Sequence, residues 1–80
     1  APAAAVRSAQ SVAGTGVAIV KCGFFGLPGD AALAQALGQA DLGRAKLFAV
    51  LMADCVTDFS LVPHLARAGF IGVMLDTASK

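Results

Sequence analysis

With 58% hydrophobic and 14% charged side chains, against roughly 25% charged for an ordinary domain, these 80 residues are too apolar to cover a small free-standing domain. A chain of this size buries only about 60–65% of its unfolded surface, so the composition suits the interior portion of a larger fold or a chain covered by neighbours. A net charge of +1, scattered over Arg7, Lys21, Arg44, Lys46, Arg67 and Lys80, gives no electrostatic case for nucleic acid or an anionic membrane surface.

Residues Ala3–Ala13 are alanine-rich and place Val6, Ala9 and Ala13 on one side of a predicted helix, with Gly14 and Gly16 as its stop. Val17–Cys22 is a β-branched run of strand length, and GFFGLPGD, residues 23–30, reads as a turn-rich loop. Asp30 is placed to cap a helix through Ala40, with Leu33 and Leu37 one turn apart. Leu47–Ala53 is continuously apolar, as expected of a strand buried on both faces. A third helix is expected to be capped by Ser60, with Pro63 in its first turn, Leu61, Val62 and Leu65 as its apolar stripe and Gly69 at its end. The last strand is Ile71–Leu75. This α-β-α-β-α-β order, with nearly all-apolar strands, predicts an α/β fold in which helices cover a parallel sheet.

Some function classes are disfavoured by pattern. Apolar runs fall far short of the ~20 residues a membrane helix needs. The opening APAAAVRSAQ lacks the order of a secretory signal. Cys22 and Cys55 lack CxxC spacing and are expected to be buried, reduced thiols of a cytoplasmic protein. No cluster has the spacing of a metal site, no Ser/His/Asp arrangement stands out, and no cofactor is expected. His64, beside Pro63, reads as a surface histidine.

Each strand delivers a polar or ionisable residue at or just beyond its C-terminal end: Lys21, Asp54 and Asp76. In parallel α/β folds those ends face the active site. Alternation puts Val17, Ile19 and Lys21 on one face, Phe48, Val50, Met52 and Asp54 on one, and Gly72, Met74 and Asp76 on one. If each set points inward, the three groups meet. The bland alternatives are a turn-capping carboxylate for Asp54 or Asp76, a rim lysine for Lys21 and a solvated lysine for Lys80.

A desolvated lysine has a lowered pKa and attacks carbonyls to form a Schiff base. A neighbouring carboxylate can move the protons of imine formation and enolisation, and a second lysine can depress the first one's pKa or bind phosphate. Amines and carboxylates at strand ends therefore suggest carbonyl chemistry on a phosphorylated sugar. The glycines of GFFGLPG, Gly23, Gly26 and Gly29, lack the order of a dinucleotide fingerprint, though their backbone N–H groups could cradle a phosphate.

VAIVKCGFFG (17–26) and LVPHLARAGFIGVMLDTASK (61–80) resemble segments of the (5-formylfuran-3-yl)methyl phosphate synthases. The specific feature is the Met-Leu-Asp-Thr-Ala-x-Lys run, and Met52-Ala-Asp54 is similar to that family's Tyr-Ala-Asp with the aromatic replaced. The resemblance spans the chain. It implies a (β/α)8 TIM barrel lyase that condenses two molecules of glyceraldehyde 3-phosphate, with loss of phosphate and water, in methanofuran-type one-carbon carrier biosynthesis. By motif it makes Lys21, Asp76 and Lys80 catalytic, Asp76 as acid/base and the lysines as amine catalyst or phosphate contact, with Gly23, Gly26 and Asp54 as substrate-binding positions.

The family's first strand carries an Asp-x-Lys motif that has no counterpart here, and a barrel needs roughly 200–250 residues. The chain is therefore expected to be a partial barrel segment, with about three of the strands. Its expected partners are the phosphorylated triose, the remainder of the barrel and further copies in a homo-oligomer. A class I aldolase-like phosphosugar barrel and a non-catalytic α/β assembly module are the alternatives. The first explains the Asp-Thr-Ala-x-Lys run less well, and three ionisable strand ends count against the second.

Overall fold

Alternating helix-forming and β-branched segments, punctuated by glycine, fold into three helices and three strands: α1 (Pro2–Ala13), β1 (Ile19–Phe24), α2 (Asp30–Gln39), β2 (Lys46–Met52), α3 (Val62–Ala68) and β3 (Gly72–Asp76). The structure is a computed structural model that describes residues 2–56 and 58–79. The strands form one parallel sheet in the order β1-β2-β3. Register runs from Ile19 beside Lys46 to Phe24 beside Leu51, and from Phe48 beside Gly72 to Met52 beside Asp76.

The helices share one face of this sheet. Val20 and Phe24 of β1 and Leu47, Ala49 and Leu51 of β2 join Ala9, Ala34, Leu37 and Leu65 of the helices in one buried cluster. Val6, Ala13 and Leu33 pack against it as the helical periodicity predicts. Phe24 is fully buried and meets Phe70 edge-on, with ring centroids 5.9 Å apart, a geometry the ring quadrupoles favour. On the opposite face lie Ile19, Lys21 and Gly23, then Phe48, Val50 and Met52, then Gly72, Met74 and Asp76, because side chains beside one another across a parallel pair point the same way.

Local details depart from expectation. β1 lies two residues later than the apolar run Val17–Cys22, because its pairing with β2 starts at Ile19 and carries the ladder through Gly23 and Phe24. β2 lies one residue earlier than expected and β3 one residue later, so Asp76 is the last residue of β3. β2 is buried on both faces only in part: on the face without helices Val50 is buried, whereas Phe48 and Met52 are half-buried. Val73 and Leu75 of β3 are 38% and 56% exposed.

Neither expected helix cap forms. Asp30 turns its carboxylate back to the preceding loop and leaves α2 without a side-chain cap. Ser60 is engaged by Asp58, its Oγ and N both donating to Oδ1 at 2.7 and 3.0 Å, and Leu61 takes the cap position of α3. Val62 is exposed, leaving Leu61 and Leu65 as the buried stripe of α3. Gly69, at φ 95°, closes that helix in the left-handed conformation expected of a C-terminal glycine.

Candidate functional site

Three loops meet at the C-terminal edge of the sheet, and backbone hydrogen bonding explains how they are held. After β1 the chain turns at Gly26, whose φ of +74° suits glycine. A Cβ there would lie 2.5 Å from the carbonyl oxygen of Cys55, so only glycine lets the loop after β1 rest on the loop after β2. The N–H groups of Gly26 and Leu27 both donate to Oδ2 of Asp30, at 3.0 and 3.2 Å. Asp30 is itself buried, so these bonds supply the partners that a buried carboxylate requires.

The loop after β2 is a tight turn in which the N–H groups of Cys55 and Val56 both donate to the Met52 carbonyl at 2.8 Å. This turn aims Asp54 across the sheet. Its Oδ1 accepts the N–H of Ala78 at 2.9 Å and its Oδ2 accepts that of Ser79 at 3.0 Å, both in the segment after β3. Those two bonds, the Ala78 one foremost, hold the Asp54 carboxyl below the usual carboxylate range, and a hydrogen bond with the Cys55 side chain adds to the effect. One residue earlier, the Ala53 N–H donates to the Asp76 carbonyl at 2.7 Å, the last backbone rung between β2 and β3. Asp76 Oδ1 accepts the N–H of Thr77 at 2.8 Å.

The expected site residues fall into place unequally. Lys21, Gly23 and Asp76 lie on the face opposite the helices. Lys21, however, is the third residue of β1 rather than its end, in one row with Phe48 and Gly72. Asp76 is four residues beyond Gly72 on β3. That offset is about 13 Å along the strand, with two strand spacings of about 4.8 Å across, so strand register alone does not bring Lys21 and Asp76 together. Gly23 lies beneath Met52 and Phe25: a Cβ there would be 3.2 Å from Met52 Cε and 3.4 Å from the Phe25 ring. Lys80 lies outside the described residues.

Asp30 is the residue that sequence reasoning assigned to the wrong partner. Its position at the end of GFFGLPGD fitted a helix cap, yet the turn at Gly26 brings two loop N–H groups within its reach. The backbone N–H groups of Gly26 and Leu27, and those of Ala78 and Ser79, are thus taken by carboxylates of the chain itself. Among the described residues no group of three or more His, Cys, Asp or Glu side chains could hold a metal ion. Cys22 and Cys55 are free thiols; burial pushes the half-buried Cys22 thiol up, whereas Cys55 is exposed at the strand ends rather than buried as expected. No helix among the described residues is long and apolar enough to cross a membrane.

Fold and site together define a layered α/β protein whose parallel sheet carries an amine and carboxylates on and beyond its uncovered face. The family model described as 4-HFC-P synthase matches residues 1–80, and the chain belongs to that family of synthase enzymes. No curated protein and no solved structure matches it.

Proposed function

We propose that this chain is a segment of a (β/α)8 barrel lyase. The reaction would condense two molecules of glyceraldehyde 3-phosphate into (5-formylfuran-3-yl)methyl phosphate, with loss of phosphate and water, in cytoplasmic one-carbon carrier biosynthesis. The family match over residues 1–80 carries this reading. The architecture supports it: helices occupy one side of a parallel sheet, and the other side bears the exposed apolar side chains of Ile19 and Met74. In a closed barrel that side would become the packed interior.

The roles follow from the chemistry of each group. An amine, that of Lys21 or Lys80, adds to a substrate aldehyde and expels water to leave an imine, which makes the adjacent carbon acidic. Asp76 takes and returns the protons of enolisation from the end of β3. The remaining amine, as a cation, binds a substrate phosphate. Gly26 and Leu27 N–H groups already serve Asp30, which leaves phosphate recognition mainly to amines. Gly23 keeps β1 low beneath Met52 and Phe25, shaping the floor on which the triose would lie.

The test uses the intact synthase with glyceraldehyde 3-phosphate. Phosphate release should accompany furan formation. Borohydride in the presence of substrate should fix a secondary amine on the peptide that carries Lys21 or the one that carries Lys80. Lys80→Ala and Asp76→Asn should each lower turnover by about a hundredfold or more, the usual worth of a positioned acid/base group. Undiminished turnover in both variants would defeat the site assignment, and the absence of any covalent adduct would redirect the mechanism to enolate chemistry without an imine.

A further inference from the structure

Three consecutive N–H groups after β3, those of Thr77, Ala78 and Ser79, are all accepted by carboxylates: the first by Asp76, the other two by Asp54. Asp54 reaches them from 24 and 25 residues away in sequence, directly after the last backbone rung between β2 and β3. We propose that Asp54 is a positioning residue of the synthase, whose carboxylate fixes the segment after β3 across the end of β2 and thereby sets where Asp76 acts. This rests on the reading of Asp76 as catalytic.

The alternative role for Asp54, contact with substrate, fits the geometry poorly. Each of its oxygens is already engaged by a backbone N–H at hydrogen-bond distance, and the turn closed on the Met52 carbonyl holds it there. Two adjacent N–H groups make a concavity that favours an anion, and here the chain's own carboxylate fills it. A substrate phosphate would meet like charge at that point. A carboxylate accepting hydrogen bonds at both oxygens has the bidentate geometry that fixes orientation as well as distance.

Asp76 is coupled to this arrangement through its own turn. Its carbonyl belongs to the final rung and its carboxylate holds the Thr77 N–H, so the two N–H groups held by Asp54 follow directly on the one held by Asp76. Lys80 follows Ser79 directly in the chain. A displacement on the order of 1 Å at reacting groups is enough to cost about a hundredfold in rate.

The experiment compares intact wild-type synthase with Asp54→Ala and Asp54→Asn, measuring turnover of glyceraldehyde 3-phosphate and amide hydrogen exchange at residues 78 and 79. Asp54→Ala removes both acceptors and should lower kcat by about a hundredfold while KM changes less than about threefold, the signature of an interaction lost in the transition state. Asp54→Asn keeps one acceptor but faces the other N–H with an amide donor, so its kcat should fall between wild type and Asp54→Ala. Exchange at Ala78 and Ser79 should accelerate in both. A raised KM with unchanged kcat would overturn the proposal in favour of substrate contact. So would unchanged exchange at residues 78 and 79, or lowered thermal stability with full kcat per folded molecule. If wild-type synthase turns over no glyceraldehyde 3-phosphate, the lyase reading fails separately, and accelerated exchange in the variants still supports the clamp.

Discussion

The two faces of the sheet are built from the same three strands, yet they do different work. Beneath the helices, Val20, Phe24, Leu47, Ala49 and Leu51 interlock with α1, α2 and α3 in a buried cluster. The opposite face alternates apolar residues with Lys21 and Asp76, and glycines interrupt it at Gly23 and Gly72. Dispersion and burial reward dense packing on the first face. The second gives up side-chain volume for polar groups, which a folding core would not tolerate unpaired. Because side chains alternate along a strand, one segment presents core residues to one face and polar ones to the other.

That separation can be broken on the covered side most severely. Phe24→Ala, at a fully buried ring in contact with Phe70, should destabilise the synthase by about 3–5 kcal/mol, read as a lowered denaturation midpoint. Lys21→Ala on the open face should do the reverse: turnover falls by about a hundredfold or more, and the denaturation midpoint stays near that of wild type. If Lys21→Ala unfolds the protein as readily as Phe24→Ala, the two faces are not distinct in function.

The strand-end loops sharpen the comparison with smaller effects. Gly26→Ala imposes a strained φ and a clash with the Cys55 carbonyl, and should cost about 1–3 kcal/mol together with part of the activity. Asp30→Ala leaves the Gly26 and Leu27 N–H groups without their acceptor, for a loss of about 1–3 kcal/mol measured by chemical denaturation. His64→Ala, at an exposed ring bonded locally to Arg67, should change stability by less than about 0.5 kcal/mol and leave turnover unchanged.

Acid offers a route to the Asp54 clamp without mutation. Hydrogen bonds from Ala78 and Ser79 hold the folded-state pKa of Asp54 below its unfolded value. Its contribution is therefore complete above the unfolded carboxylate pKa and declines as pH falls from there through the depressed folded value. Protection of the Ala78 and Ser79 amides from exchange should follow that course, intact at neutral pH and weakened in acid. Protection that persists unchanged below the folded pKa would show that another group holds this segment.

Much of the architecture was legible because it depends on local pattern. Alanine-rich periodicity placed α1, and the apolar stripes of α2 and α3 identified their buried sides at Leu37 and Leu65. Apolar strands separated by helices implied a parallel sheet, and the sheet is parallel. Period-two alternation grouped Lys21 with Ile19 and Asp76 with Met74, and the strand register puts both groups on one face. Cysteine usage misjudged Cys55, which a tight turn carries to the surface, and the apolar stripe of α3 misjudged Val62, which faces outward.

The sequence by itself determined the α/β order and, through its Asp-Thr-Ala-x-Lys run, pointed to the synthase family. Those properties follow from backbone periodicity and from side-chain identities. Tertiary structure alone decided that Lys21 and Asp76 stand in different rows, that Asp30 holds the loop before it, and that Asp54 grips Ala78 and Ser79. Register and cross-loop hydrogen bonds are settled by where whole strands pair, and a carboxylate two residues past a strand accepts whichever N–H groups that pairing delivers.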